Sequence, residues 1–459
     1  MRGLLGLSVS AVALIWCSAA VQAQTATSSG SSAGADNGIE TVVVTAERRD
    51  ENLMTTPISA DVVGGADLRT RSVLTVDDLQ FIAPSVTVDD FGQGISFDIR
   101  GIGKGEHNTQ TETGVITYRD GVATFAGYMT EEPYFDIDNV QVLRGPQGTF
   151  VGEDAIGGAV FVNSKDPVIG GGNDGYAQIS YGNYSDTQVE GAVNLPVSDT
   201  LAFRVALFGE VRGSFYSITD PDPADNCPGQ KYAFCKVPKS NSNTPGEFNP
   251  GDRRWLTPRV SMLWKPTDAL KVSLKVSLDY LDNGAWPSSP GSAAKPTYDS
   301  LFRLTDNTPG NALDRTVRTV LKVDYVLPDG ITLQSVTGYQ KGNTNWTTNR
   351  LGYAAYPSGP GGFEGAGMSF WAHVGETIKS EEINVISPDT GRLTWVFGGY
   401  AKSDQYDWER PWQFVVGYPQ GTSLLPPGNA SNYELQGTTP YDSWAAFGQV
   451  TYKLTDAWQ

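Results

Sequence analysis

From Gly175 onward, apolar and polar side chains alternate with a period of two over long stretches. In Lys271 to Asp282, Val272, Leu274, Val276, Leu278 and Tyr280 fall on one face and Ser273, Lys275, Ser277 and Asp279 on the other. Successive side chains of a strand point to opposite sides, so this spacing predicts a strand with one oily and one wet face. The same alternation sets Leu201, Phe203, Val205 and Leu207 against Arg204 and Glu210, and Val317, Leu321, Val323 and Tyr325 against Arg318, Lys322 and Asp324. Short turns such as Lys265-Pro266-Thr267-Asp268 and Leu327-Pro328-Asp329-Gly330 alternate with much longer connections. Roughly ten such strands are expected, each near the length a tilted membrane strand needs. A soluble sandwich also alternates, but aromatic residues near strand ends (Trp255, Trp264, Tyr280, Tyr325, Tyr339, Tyr452) fit the interface girdles of a membrane barrel.

The chain ahead of Gly175 reads differently. Arg2, an apolar run from Leu4 to Trp16 and the small-residue end Val21-Gln22-Ala23 predict a secretory signal over residues 1–23. Its apolar core is shorter than the roughly 20 residues of a spanning helix, and Trp16 before Cys17 disfavours lipid attachment. Residues 24–55 form a Ser/Gly-rich flexible leader containing one β-prone run, Ile39 to Ala46. That run is either a strand awaiting a partner or the first strand of the next domain. Residues 56–167 predict a compact α/β unit in which Leu68, Val73, Leu74, Val76 and Leu79 give one or two short helices ahead of Pro84. Residues 168–459 are the alternating strands.

Composition narrows the function classes. Hydrophobic content of 39%, aromatic content of 11%, 52 glycines and 20 tyrosines suit strands joined by turns. A formal charge of -18 argues against nucleic acid and against docking on an anionic lipid surface. No catalytic constellation is found. Gly145 to Gly158 lacks the Gly-Lys-Ser/Thr ending of a phosphate loop, and His107 and His373, the two histidines, have no metal-ligand spacing partner. A non-enzyme without cofactor or metal is therefore expected. Cys227 and Cys235 lie close together in a Pro/Asp/Asn-rich segment and predict a small disulfide loop, since two cysteines without nearby histidine make a poor metal site.

Four runs then appear in order: Phe97-Asp98-Ile99-Arg100-Gly101-Ile102-Gly103, Tyr118-Arg119-Asp120-Gly121-Val122, Asp138-Asn139-Val140-Gln141-Val142-Leu143-Arg144-Gly145-Pro146-Gln147-Gly148-Thr149, and Ala155-Ile156-Gly157-Gly158-Ala159-Val160. They resemble the plug domain of TonB-dependent outer-membrane receptors. Ser380-Glu381-Glu382-Ile383-Asn384-Val385 and Ala446-Phe447-Gly448-Gln449-Val450 resemble barrel segments of the same family. The resemblance implies an α/β plug domain inside an antiparallel transmembrane β-barrel. A barrel that holds a folded plug needs about 22 strands, so roughly the first half of the barrel is expected here. Two departures stand out: Glu153 and Asp154 replace a basic residue and an asparagine, and Arg119 replaces a small or apolar residue.

The resemblance also implies sites and partners. Ile39, Glu40, Thr41, Val42, Val43, Val44, Thr45 and Ala46 are similar to a Ton box, a segment that adds to the TonB sheet as an edge strand, with ExbB and ExbD acting indirectly. Arg100 and Arg144 match plug arginines that face barrel glutamates, with Glu382 the aligned partner and Glu381 second. Substrate contacts are implied at Lys104, His107, Asn108, Phe125 and Tyr128 on the plug and at Trp346, Tyr353 and Trp371 on the barrel. The expected protein is a monomer in outer-membrane lipid of a Gram-negative bacterium, with no nucleic-acid partner. It is expected to import a ferric siderophore or similar chelate, with oligosaccharide, cobalamin or haem as alternatives and a passive porin as a rival of another class.

Overall fold

Period-two patterning and turn chemistry divide the folded chain into a small mixed unit and one large sheet. The computed structural model describes residues 43–44, 51–52, 59–90, 94–104, 113–146, 155–219, 251–284, 303–305, 311–349, 368–416 and 437–454. Two short strands, β1 (Val43–Val44) and β2 (Glu51–Asn52), pair antiparallel ahead of the plug unit.

The plug unit begins with β3 (Ala60–Gly64) and helix α1 (Gly65–Thr70), followed by a 3₁₀ turn over Val76–Phe81. Asp78 closes the start of that turn, accepting the backbone N–H groups of Leu74 at 2.8 Å and Thr75 at 3.1 Å. The predicted helical spacing is thus realised as one short α-helix and one short 3₁₀-helix, which bury Leu68, Val76 and Leu79. Next come the hairpin β4 (Val86–Asp90) and β5 (Ile95–Ile99), then β6 (Val115–Arg119), β7 (Val122–Ala123), β8 (Ile137–Arg144) and β9 (Gly158–Ser164). The main plug sheet has the order β3-β8-β9-β6-β7, with β6 and β9 parallel. Its core packs Leu68, Phe97, Ile99, Val140, Val142 and Val160.

The barrel strands follow: β10 (Gly175–Tyr181), β11 (Thr187–Ser198), β12 (Leu201–Arg212), β14 (Arg253–Thr267), β15 (Leu270–Asn283), β17 (Asn311–Val326), β18 (Thr332–Asn349), β19 (Met368–Ile386), β20 (Leu393–Val416) and β21 (Gly437–Tyr452). Two three-residue strands, β13 (Ser217–Thr219) and β16 (Arg303–Thr305), pair with each other between them. The ten long strands form one antiparallel sheet in chain order among the described residues. Most exceed the 9–11 residues a membrane strand needs. No described helix is long and apolar enough to cross a membrane.

The alternation seen in the sequence sets the two faces of this sheet. Leu278 and Tyr280 point outward and are exposed, while Ser273 and Leu281 are buried on the inner side. Registers such as Val272 with Val323 and Leu274 with Leu321 keep the outer face apolar across neighbouring strands. Trp264, Tyr280, Tyr325, Tyr339 and Tyr452 also lie on the outer face, each at least 38% exposed. Trp255 departs from the expected girdle. It points inward, 3% exposed, with its indole N–H donating to Asp279 at 2.7 Å, because the barrel wall at that point packs against the plug.

Candidate functional site

The plug meets the inner face of the sheet through charge. Asp120-Gly121 forms the two-residue turn of the β6–β7 hairpin, with φ of 53° and 96°. Positive φ at both central residues is the tight hairpin geometry that suits Asp-Gly, and it turns the Asp120 carboxylate toward the barrel. That carboxylate accepts from the Ser164 N–H at 2.8 Å, the Ser164 hydroxyl at 2.5 Å and Lys275 Nζ on β15 at 3.0 Å. Lys275 also reaches Asp166 at 2.8 Å, just past the last plug strand. Burial pushes the Asp120 carboxyl upward, but Lys275, Arg119, Arg259 and the Ser164 hydroxyl together hold it well below the usual carboxylate range.

The segment Glu131 to Asp136 carries the rest of the anchorage. Asp136, 1% exposed, takes Arg204 of β12 in a bidentate pair, with Nε at 2.8 Å and Nη2 at 2.5 Å, and also Arg259 of β14 at 3.4 Å. Arg259 Nη2 donates further to the carbonyls of Phe135 and Asp136, and its guanidinium lies 4.5 Å from the Phe135 ring centroid. Phe135 in turn stacks on Phe208. Glu131 pairs with Arg253, and Glu132 with Arg318. Arg119, the departure noted in the sequence, sits 3.6 Å from Glu132 and joins that chain of charges. Burial raises the Glu132 carboxyl, yet Arg318 and Arg119 outweigh it and bring it below its ordinary value. None of the five basic barrel residues in these pairs, Arg204, Arg253, Arg259, Lys275 and Arg318, was singled out from the sequence as a plug contact. Each partner is distant in the chain, and an isolated charge on a wet strand face looks the same whether it meets solvent or a plug.

At the end of the barrel that carries the long connections, the plug apex packs an aromatic cluster. Tyr128 lies 6.4 Å from Trp346, 6.5 Å from Tyr406 and 6.5 Å from Trp408, ring centre to ring centre, with Phe125 and Met129 in the same cluster. Gly342 of β18 makes this close approach feasible: a Cβ there would collide with Met129 Sδ and lie 3.1 Å from Phe125 Cζ. Beside the cluster a cavity runs between plug and wall, lined by Lys104, Phe125, Glu132, Glu376, Tyr406 and Tyr441 among others. The structure therefore brings together four residues expected at a substrate site, Lys104, Phe125, Tyr128 and Trp346. Trp371 lies on β19 in register with Thr347, its side chain outside the described part. His107, Asn108 and Tyr353 lie outside the described residues, as do Cys227 and Cys235.

Of the expected latch residues, Glu382 lines the same cavity as Asp120, Asp166, Arg204 and Lys275. Arg144 pairs with Asp61 inside the plug. Arg100 occupies an exposed turn position with φ of 55°. Glu382 lies on the inner side of β19 and accepts from Asn384 at 2.7 Å. Glu381 lies on the opposite, outer side, bonded to the hydroxyls of Ser335 and Thr337. Of the Ton-box-like run only Val43 and Val44 are described, and they pair with Asn52 and Glu51; Ile39, Glu40, Thr41, Val42, Thr45 and Ala46 lie outside the described residues.

Residues 52–159 match the family model of the TonB-dependent receptor plug domain. The iron-regulated outer membrane virulence protein of Vibrio cholerae is 29% identical over 278 residues, covering 58% of this chain and 38% of that protein. Residues 52–159 are thus a plug domain of the kind found in TonB-dependent receptors. Solved receptors share the fold. The ferric yersiniabactin uptake receptor FyuA from Yersinia pestis superposes with a TM-score of 0.57 at 16% identity, over 87% of this chain and 62% of that one. The ferripyoverdine receptor of the outer membrane of Pseudomonas aeruginosa gives 0.64 at 12% identity, over 90% and 52%. This receptor is an outer-membrane protein whose chain spans 38% of the length of the Vibrio relative, and its plug stands against an antiparallel sheet of barrel strands.

Proposed function

We propose that this receptor imports a nutrient chelate, foremost a ferric siderophore, across the outer membrane by TonB-dependent active transport. The observation that carries the reading is the plug itself. Its apex presents Phe125 and Tyr128 to barrel aromatics at the long-connection end, while buried ion pairs fasten its flank to the wall. A passive porin needs an open lumen, and this wall is instead occupied by plug side chains. The iron-regulated relative and the two ferric-chelate receptors support iron as the cargo.

In this mechanism the chelate docks above the aromatic cluster and favours one plug state over another by its differential contacts. The run Ile39 to Ala46 then joins the TonB sheet as an added strand, and backbone hydrogen bonds carry the pull. The Val43–Val44 pairing with Glu51–Asn52 spans two residues on each strand, so it is a small ladder for a partner strand to displace. The test is uptake of radiolabelled iron chelates by cells making the full-length receptor, with and without a proton uncoupler. Val43→Pro removes a backbone donor and is expected to abolish uptake while chelate binding persists. Uptake that survives both the uncoupler and Val43→Pro would sink the coupled mechanism.

A further inference from the structure

Glu376, on the inner face of β19, is 5% exposed and lines the cavity between the plug apex and the wall. Among the described residues its Oε2 has no hydrogen-bond partner, and no basic side chain stands at ion-pair distance. The two lysines on the same cavity have partners of their own. Lys104 Nζ donates to the carbonyl of Ala126 at 3.0 Å, and Lys402 stands 3.9 Å from Asp404 and 5.3 Å from the Tyr441 ring centroid. A carboxylate taken out of water without a partner is costly. The protein nevertheless holds it beside a cavity.

The surroundings say what would complete it. Glu376 is in register with Tyr406 of β20, and Phe125, Tyr406 and Tyr441 line the same space. A buried carboxylate among aromatic faces attracts an organic cation through both charge and ring quadrupoles. We propose that this cavity receives a primary ammonium or guanidinium group carried by the imported chelate, and that Glu376 selects for it. The assignment rests on the uptake reading above and narrows it to chelates with a cationic arm.

The test uses matched pairs on the full-length receptor: ferrioxamine B, which ends in a primary ammonium, against its N-acetylated form, and a ferric triscatecholate made with and without a free amino group. Binding is measured on purified receptor and uptake in cells. The wild type is expected to prefer the amine-bearing member of a pair by about 10- to 100-fold, the range of a hydrogen bond to a charged group, and Glu376→Gln to bring that ratio near unity. The wild-type ratio does not depend on how well the variant folds. Equal affinity for both members in the wild type overturns the cation assignment and leaves the uptake reading standing. Binding and uptake of neither pair, by a receptor present in the outer membrane, overturn the iron-chelate reading and this assignment with it.

Discussion

Asp136 is the point at which the seating of the plug is most open to a quantitative test. Its carboxylate holds two buried guanidinium groups, Arg204 and Arg259, whose side chains are 8% and 3% exposed. Asp136→Asn keeps the shape and tolerates the residue's positive φ of 49°, so backbone strain is not confounded with charge. Arg259 keeps its bonds to two backbone carbonyls in the variant, whereas Arg204 loses its bidentate partner. Breaking one member of a buried pair costs about 3–5 kcal/mol, because the remaining charge stays desolvated. At 1.4 kcal/mol per tenfold, amide exchange that proceeds through opening of the Glu131–Asp136 segment should accelerate by roughly two to nearly four orders of magnitude. Hydrogen exchange read by mass spectrometry on the receptor in detergent measures this directly. Asp61→Asn is the control: its pair with Arg144 is partly exposed, at 31% and 20%, and about 1 kcal/mol or less is expected. An Asp136→Asn receptor that exchanges like the Asp61→Asn control would refute the claim that buried charge seats the plug. An Asp136→Asn, Arg204→Met receptor should recover part of the protection, since the second change removes the guanidinium that the first leaves buried without its partner.

Further outcomes follow from other contacts. Asp120 and Glu132 are held below their ordinary values in the folded receptor. Their contribution is therefore fully present above the unfolded carboxylate range and is lost as pH falls through the lowered folded values; plug protection factors, taken relative to intrinsic exchange at each pH, should be flat near neutral pH and fall only in strong acid. Gly342→Val would drive branched carbons into Met129 and Phe125, and about 1–3 kcal/mol of overpacking is expected. Thermal unfolding checks this, with Gly342→Ala milder because Met129 is a flexible neighbour.

The sequence by itself determined the secondary structure and the two faces of the sheet. A strand whose side chains alternate has only one way to put Val272, Leu274 and Val276 together and Lys275 opposite, whatever surrounds it. Asp120-Gly121 similarly dictated a two-residue hairpin through local backbone sterics. Which wet-face residues meet the plug was decided only by the tertiary structure. Lys275 and Arg204 sit on the same kind of strand face as Lys271 and Lys322, and nothing local tells which of them a carboxylate more than a hundred residues earlier or some tens of residues earlier will reach. Trp255 shows the limit most clearly: as a sequence position it looked like an interface aromatic, and it is buried because the plug fills the space beside it. The isolated carboxylate of Glu376 belongs to the same class, since an unpaired charge is visible only once every neighbour in space has been placed.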